Sequence, residues 1–174
     1  TFFSTMKNVS IYSIYYMIVS GLRQLIESIS ASYQSLMGNL WYSQDKEKFK
    51  NTFSYIEWLI HTLSTGFFSI CIMLIIPFVN LYTHNIKDAN YVIPLFGALM
   101  VLAQFSYCIR LPYHYVVRVV GHYKETQMGA ICEAIINVVI SVILVMRYGL
   151  VGVAIGTICA MLFRTISVSY THLR

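Results

Sequence analysis

Two apolar runs separated by only three residues constrain this chain more than any other feature. Met128 to Met146 contains one charge, Glu133; Leu150 to Phe163 contains none; Arg147-Tyr148-Gly149 lies between them. A hydrocarbon layer about 30 Å thick needs roughly 20 apolar residues of helix to cross it. With no room for a longer connection, the two runs predict a tight antiparallel helical hairpin within a membrane. Composition extends that reading to the whole chain. Hydrophobic residues make up 57% and charged residues 11%, with a mean hydropathy of +0.65, against about 25% charged residues in soluble domains. The expected fold is all-α, a polytopic transmembrane helix bundle.

Twelve basic and seven acidic residues give a net charge of +5. Basic balance can signal nucleic-acid affinity, but the positions of these charges at the ends of apolar runs favour the membrane, and no nucleic acid is implied as a partner. Cys71, Cys108, Cys132 and Cys159 fall in four different apolar runs and none makes a Cys-x-x-Cys or zinc spacing. They read as packing residues, since free cysteine behaves as a small hydrophobe. Neither a metal nor a cofactor is implied.

Five spans are expected, over residues 9–41, 52–81, 91–117, 127–147 and 150–168. In the first, Ile11, Ile14, Ile18, Leu22, Leu25, Ile26 and Ile29 recur at helical spacing. Gln24, Glu27 and the serines at 28, 30, 32 and 35 form a polar stripe that must face other helices or a water-filled cavity. Pro77 lies near the end of the second span, and the polar stretch from Asn80 to Tyr91 reads as an external loop. Pro94 suits a first helical turn, and Pro112 is expected to kink or end the third span by removing a backbone donor.

Loop charge sets orientation through the positive-inside rule. One set of ends holds Lys46, Lys48, Lys50, Arg118, Lys124, Arg164 and Arg174; the other holds Lys7, Lys87 and Arg147. Seven against three places the 43–51 and 118–126 segments in the cytoplasm. Residue 1 is Thr, and the fifth span stops almost as soon as it crosses, so residues 1–167 read as part of a longer transmembrane protein. The tail Val168-Ser169-Tyr170-Thr171-His172-Leu173-Arg174 resembles the translation of a sequencing-library adapter and is set aside as non-native. Without Arg174 the charge count is six against three.

Gly121-His-Tyr-Lys-Glu-Thr-Gln, then Glu133-Ala-Ile-Ile-Asn137, then Tyr148-Gly149-Leu-Val-Gly152-Val-Ala-Ile-Gly156-Thr157 and Arg164 follow one another in a characteristic order. Val9-Ser-Ile-Tyr-Ser-Ile-Tyr, Gly38-Asn39-Leu40 and Pro77-Phe78 with Leu81-Tyr82-Thr83 fit the same register. The pattern resembles the carboxy-terminal half of bacterial polysaccharide flippases of the Wzx type, within the multidrug, oligosaccharidyl-lipid and polysaccharide exporter superfamily. That resemblance implies two facing bundles, twelve to fourteen helices in all, alternating between inward-open and outward-open states in the bacterial plasma (inner) membrane. It also implies a lipid-linked oligosaccharide as substrate, possible coupling to H+ or Na+, and transport without an enzymatic reaction.

An anionic head group crosses hydrocarbon only through a polar path, because each unsatisfied polar group costs several kcal/mol there. Arg23 and Arg110 are the basic residues within spans, and guanidinium presents fork-like donors to phosphate. The alternatives are an i, i+4 pair of Arg23 with Glu27 and snorkelling of Arg110 to the cytoplasmic interface. Glu27, Glu57 and Glu133 are candidates for ion coupling, Glu27 also for the substrate cavity, while Glu57 and Glu133 alternatively reach headgroups or a partner helix. His61 and His114 read as interface histidines. Asn137 sits four residues after Glu133, where packing and substrate contact weigh equally. Tyr12 and Tyr16 share a face and suit either an interfacial belt or stacking on sugar rings. Gly152-x-x-x-Gly156-x-x-x-Ala160 is a small-residue stripe for close helix packing, with no strand before it and no Gly-Lys-Ser/Thr after it to make a phosphate loop.

The preferred function is therefore export of a polyprenyl-diphosphate-linked oligosaccharide. A cation-coupled multidrug exporter shares the architecture but calls for an acidic or apolar cavity. A membrane polymerase or ligase of polysaccharide assembly would be expected to place its catalytic residues on a large external loop, which the short Tyr82–Tyr91 connection does not offer. A passive anchor would have no need of Arg23, Arg110, Glu27, Glu57 and Glu133 within its spans.

Overall fold

The computed structural model describes the backbone over residues 2–86, 89–121 and 123–172, and side chains over 6–86, 89–121 and 127–167. Six helices account for nearly all of it, with no strand among the described residues: α1 (Phe2–Tyr42), α2 (Lys46–Tyr82), α3 (Pro94–Ile109), α4 (Leu111–Val120), α5 (Tyr123–Tyr148) and α6 (Leu150–His172). α3 and α4 form one kinked span. By length and composition Lys46–Tyr82, Pro94–Val120, Gln127–Tyr148 and Leu150–Ser167 can each cross a membrane. The remaining expected span, 9–41, lies within α1, which is long enough but too polar to pass the same test.

The reason is the polar stripe. Glu27 and Ser30 turn inward, whereas Gln24, Ser28, Ser32 and Ser35 lie on the outer surface of α1. Ser30 donates to the Ile26 carbonyl at 2.7 Å and Ser32 to the Ser28 carbonyl at 3.1 Å, so part of the stripe satisfies its own hydroxyls. The remaining amide and hydroxyl surface still requires water or another polar wall, since hydrocarbon offers no partner.

The basic segment expected as a loop over 43–51 is mostly the first turns of α2. The Asp45 carboxylate accepts the Lys48 backbone N–H at 3.1 Å and meets its ammonium at 3.0 Å, an N-cap that starts the helix early. The same hydrogen bonds hold the Asp45 carboxyl below its ordinary range. At the other end α2 continues through Pro77 to Tyr82, one turn beyond where the external loop was expected to begin. Lys87 and Asp88 lie outside the described residues, as do His122, Leu173, Arg174 and the side chain of Lys124.

Tyr15, fully buried, fixes the entry to α3. Its hydroxyl accepts the Ile93 N–H at 3.0 Å and donates to the Tyr91 carbonyl at 3.0 Å, while its ring meets Phe96 edge-on at 5.1 Å. Two backbone groups that a non-helical turn would leave bare are thereby satisfied. Pro94 then occupies the first turn, where its missing N–H costs nothing.

α5 and α6 form the expected hairpin. Gly149 adopts φ +57°, a conformation that costs a residue with a Cβ about 1–2 kcal/mol, and closes the turn by donating to the Val145 carbonyl at 3.0 Å. The small-residue stripe faces α5. A Cβ on Gly152 would strike the Leu144 backbone, and one on Gly156 would strike Ser141. The stripe is what permits this approach. Cys71 and Cys108 are buried; Cys132 and Cys159, expected to pack inside, instead face outward with the apolar surface of the hairpin.

Gly156→Leu is expected to destabilise the protein by about 1–3 kcal/mol through overpacking, measured by SDS unfolding in mixed micelles. Met146→Leu, on the exposed face, is the control and should change stability by less than about 0.5 kcal/mol.

Candidate functional site

The site starts from a break in a helix. Pro112 cannot supply the N–H that would bond the carbonyl four residues back, so the span interrupts at Arg110 and resumes with His114 donating to the Arg110 carbonyl at 3.1 Å. The break sets Arg110 at the junction of α3 and α4, 9% exposed. Its Nη2 donates to Glu133 Oε1 of α5 at 3.0 Å. Arg110 therefore does not snorkel to the interface; a carboxylate on the neighbouring span holds it inside.

Glu133 holds a second guanidinium. Its Oε2 lies 3.8 Å from Arg164 Nε of α6, and Arg164 is only 5% exposed. Gly129, one turn before Glu133, makes the space, because a Cβ there would run into Arg164 Nη1. Arg164 was counted above as a charge at a helix end; α6 continues past it, and the side chain is inside the bundle. Removing it from the loop count leaves the orientation unchanged.

Tyr107, on the last turn of α3, joins this pair of bridges to α1. Its hydroxyl donates to Glu27 Oε1 at 2.5 Å, and its ring centroid lies 5.1 Å from the Arg23 guanidinium carbon and 4.9 Å from that of Arg110. Arg23 and Glu27 also meet along α1 at 3.8 Å, the i, i+4 pairing expected from spacing. Cations over an aromatic face gain about 0.5–2 kcal/mol. Three guanidiniums and two carboxylates share this cluster, an excess of one positive charge among the described residues. Arg23 Nε and Arg110 Nη1 are buried without a hydrogen-bond partner.

A cavity of about 140 Å³ opens beside the cluster, lined by Tyr107, Arg110, His114, Glu133 and Arg164 among others. Larger hollows occur elsewhere. One of about 450 Å³ lies at the α1–α2 turn and an apolar groove of about 390 Å³ lies between α1 and α2. Neither is lined by a buried charged side chain, so chemistry rather than size selects the smaller cavity.

A model of the MatE family matches residues 5–143, four-fifths of the chain. The chain belongs to the MatE family. It is thus a multi-pass membrane transporter of the multidrug, oligosaccharidyl-lipid and polysaccharide exporter superfamily. Neither a curated protein nor a solved structure matches it.

Within this MatE chain the remaining candidates fall in three places. Glu57 accepts the Tyr113 hydroxyl, and His61, one turn on, donates its Nε2–H to the Ile109 carbonyl at 3.0 Å. Since a carbonyl can only accept, that bond assigns the proton to Nε2. The two α2 side chains hold the residues flanking Pro112 to α2, as Glu133 holds Arg110 to α5. Asn137 is apart from the arginines: its Oδ1 accepts Ser141 Oγ at 3.0 Å at the α5–α6 contact. Tyr12 and Tyr16 stack at 5.8 Å with planes 13° apart, and Tyr12 lies 6.1 Å from Phe96. They share a face of α1 with Arg23 and Glu27 but lie more than one turn before them. Among the described residues no three His, Cys, Asp or Glu side chains converge to hold a metal ion.

Tyr107, Tyr113, Arg164 and the cavity face of His114 were not singled out from sequence. Tyr107 carried a usable signal, since it precedes Arg110 by three residues and so shares its helical face. Arg164 carried none beyond its burial depth, which depends on where α6 ends.

Tyr107→Phe removes the hydroxyl bond to Glu27 but keeps the ring, and is expected to cost about 1–2 kcal/mol in SDS unfolding. Tyr107→Leu also removes the surface that both guanidiniums face and should cost more. Equal losses would show that the ring contributes nothing.

Proposed function

We propose that this MatE protein exports a polyprenyl-diphosphate-linked oligosaccharide across the bacterial plasma membrane by alternating access, during synthesis of cell-surface polysaccharide. The observation that carries the reading is the sign of the buried cluster. Arg23, Arg110 and Arg164 outnumber Glu27 and Glu133, and both carboxylates are already engaged by guanidinium or phenol. A cationic drug would meet no free carboxylate there, whereas an anionic head group meets donors that lack acceptors.

The outer stripe of α1 supports the same reading. Gln24, Ser28, Ser32 and Ser35 run along one face of a helix too polar to sit in lipid, and Glu27 borders that face. Such a stripe suits one wall of a wet path, with the lipid tail remaining in the bilayer and the opposing wall supplied by a second bundle. On this reading residues 1–167 are part of the carboxy-terminal bundle of a two-lobed transporter, and Tyr12 and Tyr16 stack on sugars entering from the amino-terminal end of α1. Coupling to H+ or Na+ falls to the carboxylates, Glu27, Glu57 or Glu133. No bond in the substrate is made or broken.

Complementation of a flippase-deficient bacterium with the full-length gene tests this. Wild type should restore surface polysaccharide, and Arg23→Ala or Arg110→Ala at matched membrane expression should reduce it at least about tenfold, a loss of about 1.4 kcal/mol or more. Restored drug resistance without restored polysaccharide, across several glycan types, would assign the protein to multidrug export instead.

A further inference from the structure

The geometry around Glu133 points to a second property of the same interior. We propose that the cavity lined by Tyr107, Arg110, His114 and Arg164 is a binding site for a tetrahedral oxyanion of phosphate or sulfate type, and that the Glu133 carboxylate is the resident ligand the anion displaces, taking up a proton as it leaves. The proposal rests on reading the bundle interior as the path of an anionic head group.

Glu133 is held as a bound oxyanion would be. Its two oxygens go to two different guanidiniums, from Arg110 at 3.0 Å and Arg164 at 3.8 Å, brought from different spans. Neither arginine uses its full set of donors on Glu133, and Arg110 Nη1 is buried with no partner at all. Gly129 lets the Arg164 guanidinium pack against the α5 backbone, one turn from Glu133. The cavity beside them, about 140 Å³, equals several waters at roughly 30 Å³ each and admits a small tetrahedral ion. An arriving dianion offers more acceptors and more charge than one carboxylate, so it outcompetes Glu133 for the same donors.

Displacement carries a proton with it. A carboxylate deprived of two cations, inside a membrane and next to a dianion, is favoured in its neutral form on both counts. The proton comes from water and ends on a Glu133 oxygen. By linkage, anion binding then raises proton occupancy and falling pH tightens anion binding to the same extent. The other groups facing Glu133 are Arg164 from α6, Arg110 and Tyr107 from the α3 end, and His114 from α4; behind Tyr107 stand Glu27 and Arg23 of α1. Of these, His114 is the one whose titration would imitate the effect, and it must be separated experimentally.

Sulfate is the probe, because its own charge is constant over the range used. Titration calorimetry on the full-length protein in phosphatidylcholine nanodiscs, in two buffers of different ionisation enthalpy, gives affinity and proton count together. Wild type should bind sulfate with uptake of close to one proton, tightening by up to about tenfold per unit as pH falls. Glu133→Gln, which keeps the shape and one acceptor, should bind more tightly than wild type with no proton uptake and no such pH dependence. His114→Gln should keep the uptake, and Arg164→Ala should lose binding at least about tenfold.

Undetectable sulfate binding to wild type, or uptake that survives Glu133→Gln, or uptake lost only in His114→Gln, would overturn the proposal, and the wild-type measurement decides even if a variant fails to fold. Geranyl diphosphate added as competitor separates this inference from the functional reading. Displacement of sulfate by it supports both. Proton-linked sulfate binding that it does not displace leaves the oxyanion site in place, with a free anion as ligand, and removes the glycolipid assignment. Glycolipid export without any sulfate binding leaves the assignment and removes the site.

Discussion

One carboxylate, Glu133, lies between two guanidiniums in a part of the protein surrounded by hydrocarbon. A buried ion is tolerated only when its partners are close and hydrogen-bonded, and removing one member of such a group typically costs about 3–5 kcal/mol. Arg110 and Arg164 are both almost wholly buried and both depend on Glu133. The relative positions of α3–α4, α5 and α6 are therefore bound to one side chain, and the rest of the structure can be understood as what places those three groups within reach.

Three local devices do that placing. Pro112 breaks the third span where Arg110 must turn toward α5, and Glu57 and His61 of α2 hold the broken segment from behind through Tyr113 and the Ile109 carbonyl. Gly149, Gly152 and Gly156 bring α6 close enough to α5 that Arg164 reaches back across the hairpin. Tyr15 fixes the chain before α3 by satisfying two backbone groups, which sets where along the bundle Tyr107 and Arg110 lie. Each of these residues determines a coordinate of the ion cluster.

Much of this framework was legible in sequence because its causes are local. The hairpin follows from two apolar runs and a three-residue gap, the kink from Pro112, the close packing from the small-residue stripe, and the Arg23–Glu27 pair from i, i+4 spacing. The start of α2 was missed because Asp45 is read as an N-cap only once Lys48 is seen to donate to it. The partners of Glu133 were not legible at all. They stand on other helices, 23 residues before it in one case, and a single sequence carries no record of that proximity. Arg164 was placed at a membrane surface since a charge near the end of an apolar run ordinarily belongs there. Tyr107 was passed over, although it sits three residues before a buried arginine and so shares its helical face.

Tyr107 also explains how five charged groups on four helical segments form one network rather than two. On one side its hydroxyl is committed to Glu27 at 2.5 Å; on the other its ring faces Arg23 and Arg110 at about equal distance. The two buried guanidinium nitrogens without hydrogen-bond partners belong to those same two arginines. Tyr107 meets both guanidiniums through its π face, which is weaker than a carboxylate and indifferent to which nitrogen is nearest. The cluster is thus held together firmly at Glu27 and Glu133 and loosely between them, with the uncompensated positive charge at the loose point. A site built to retain its own ions permanently would have paired that charge with a third carboxylate. Leaving it to an aromatic ring keeps the arginines buried and ordered while their remaining donors stay available to an anion that comes and goes.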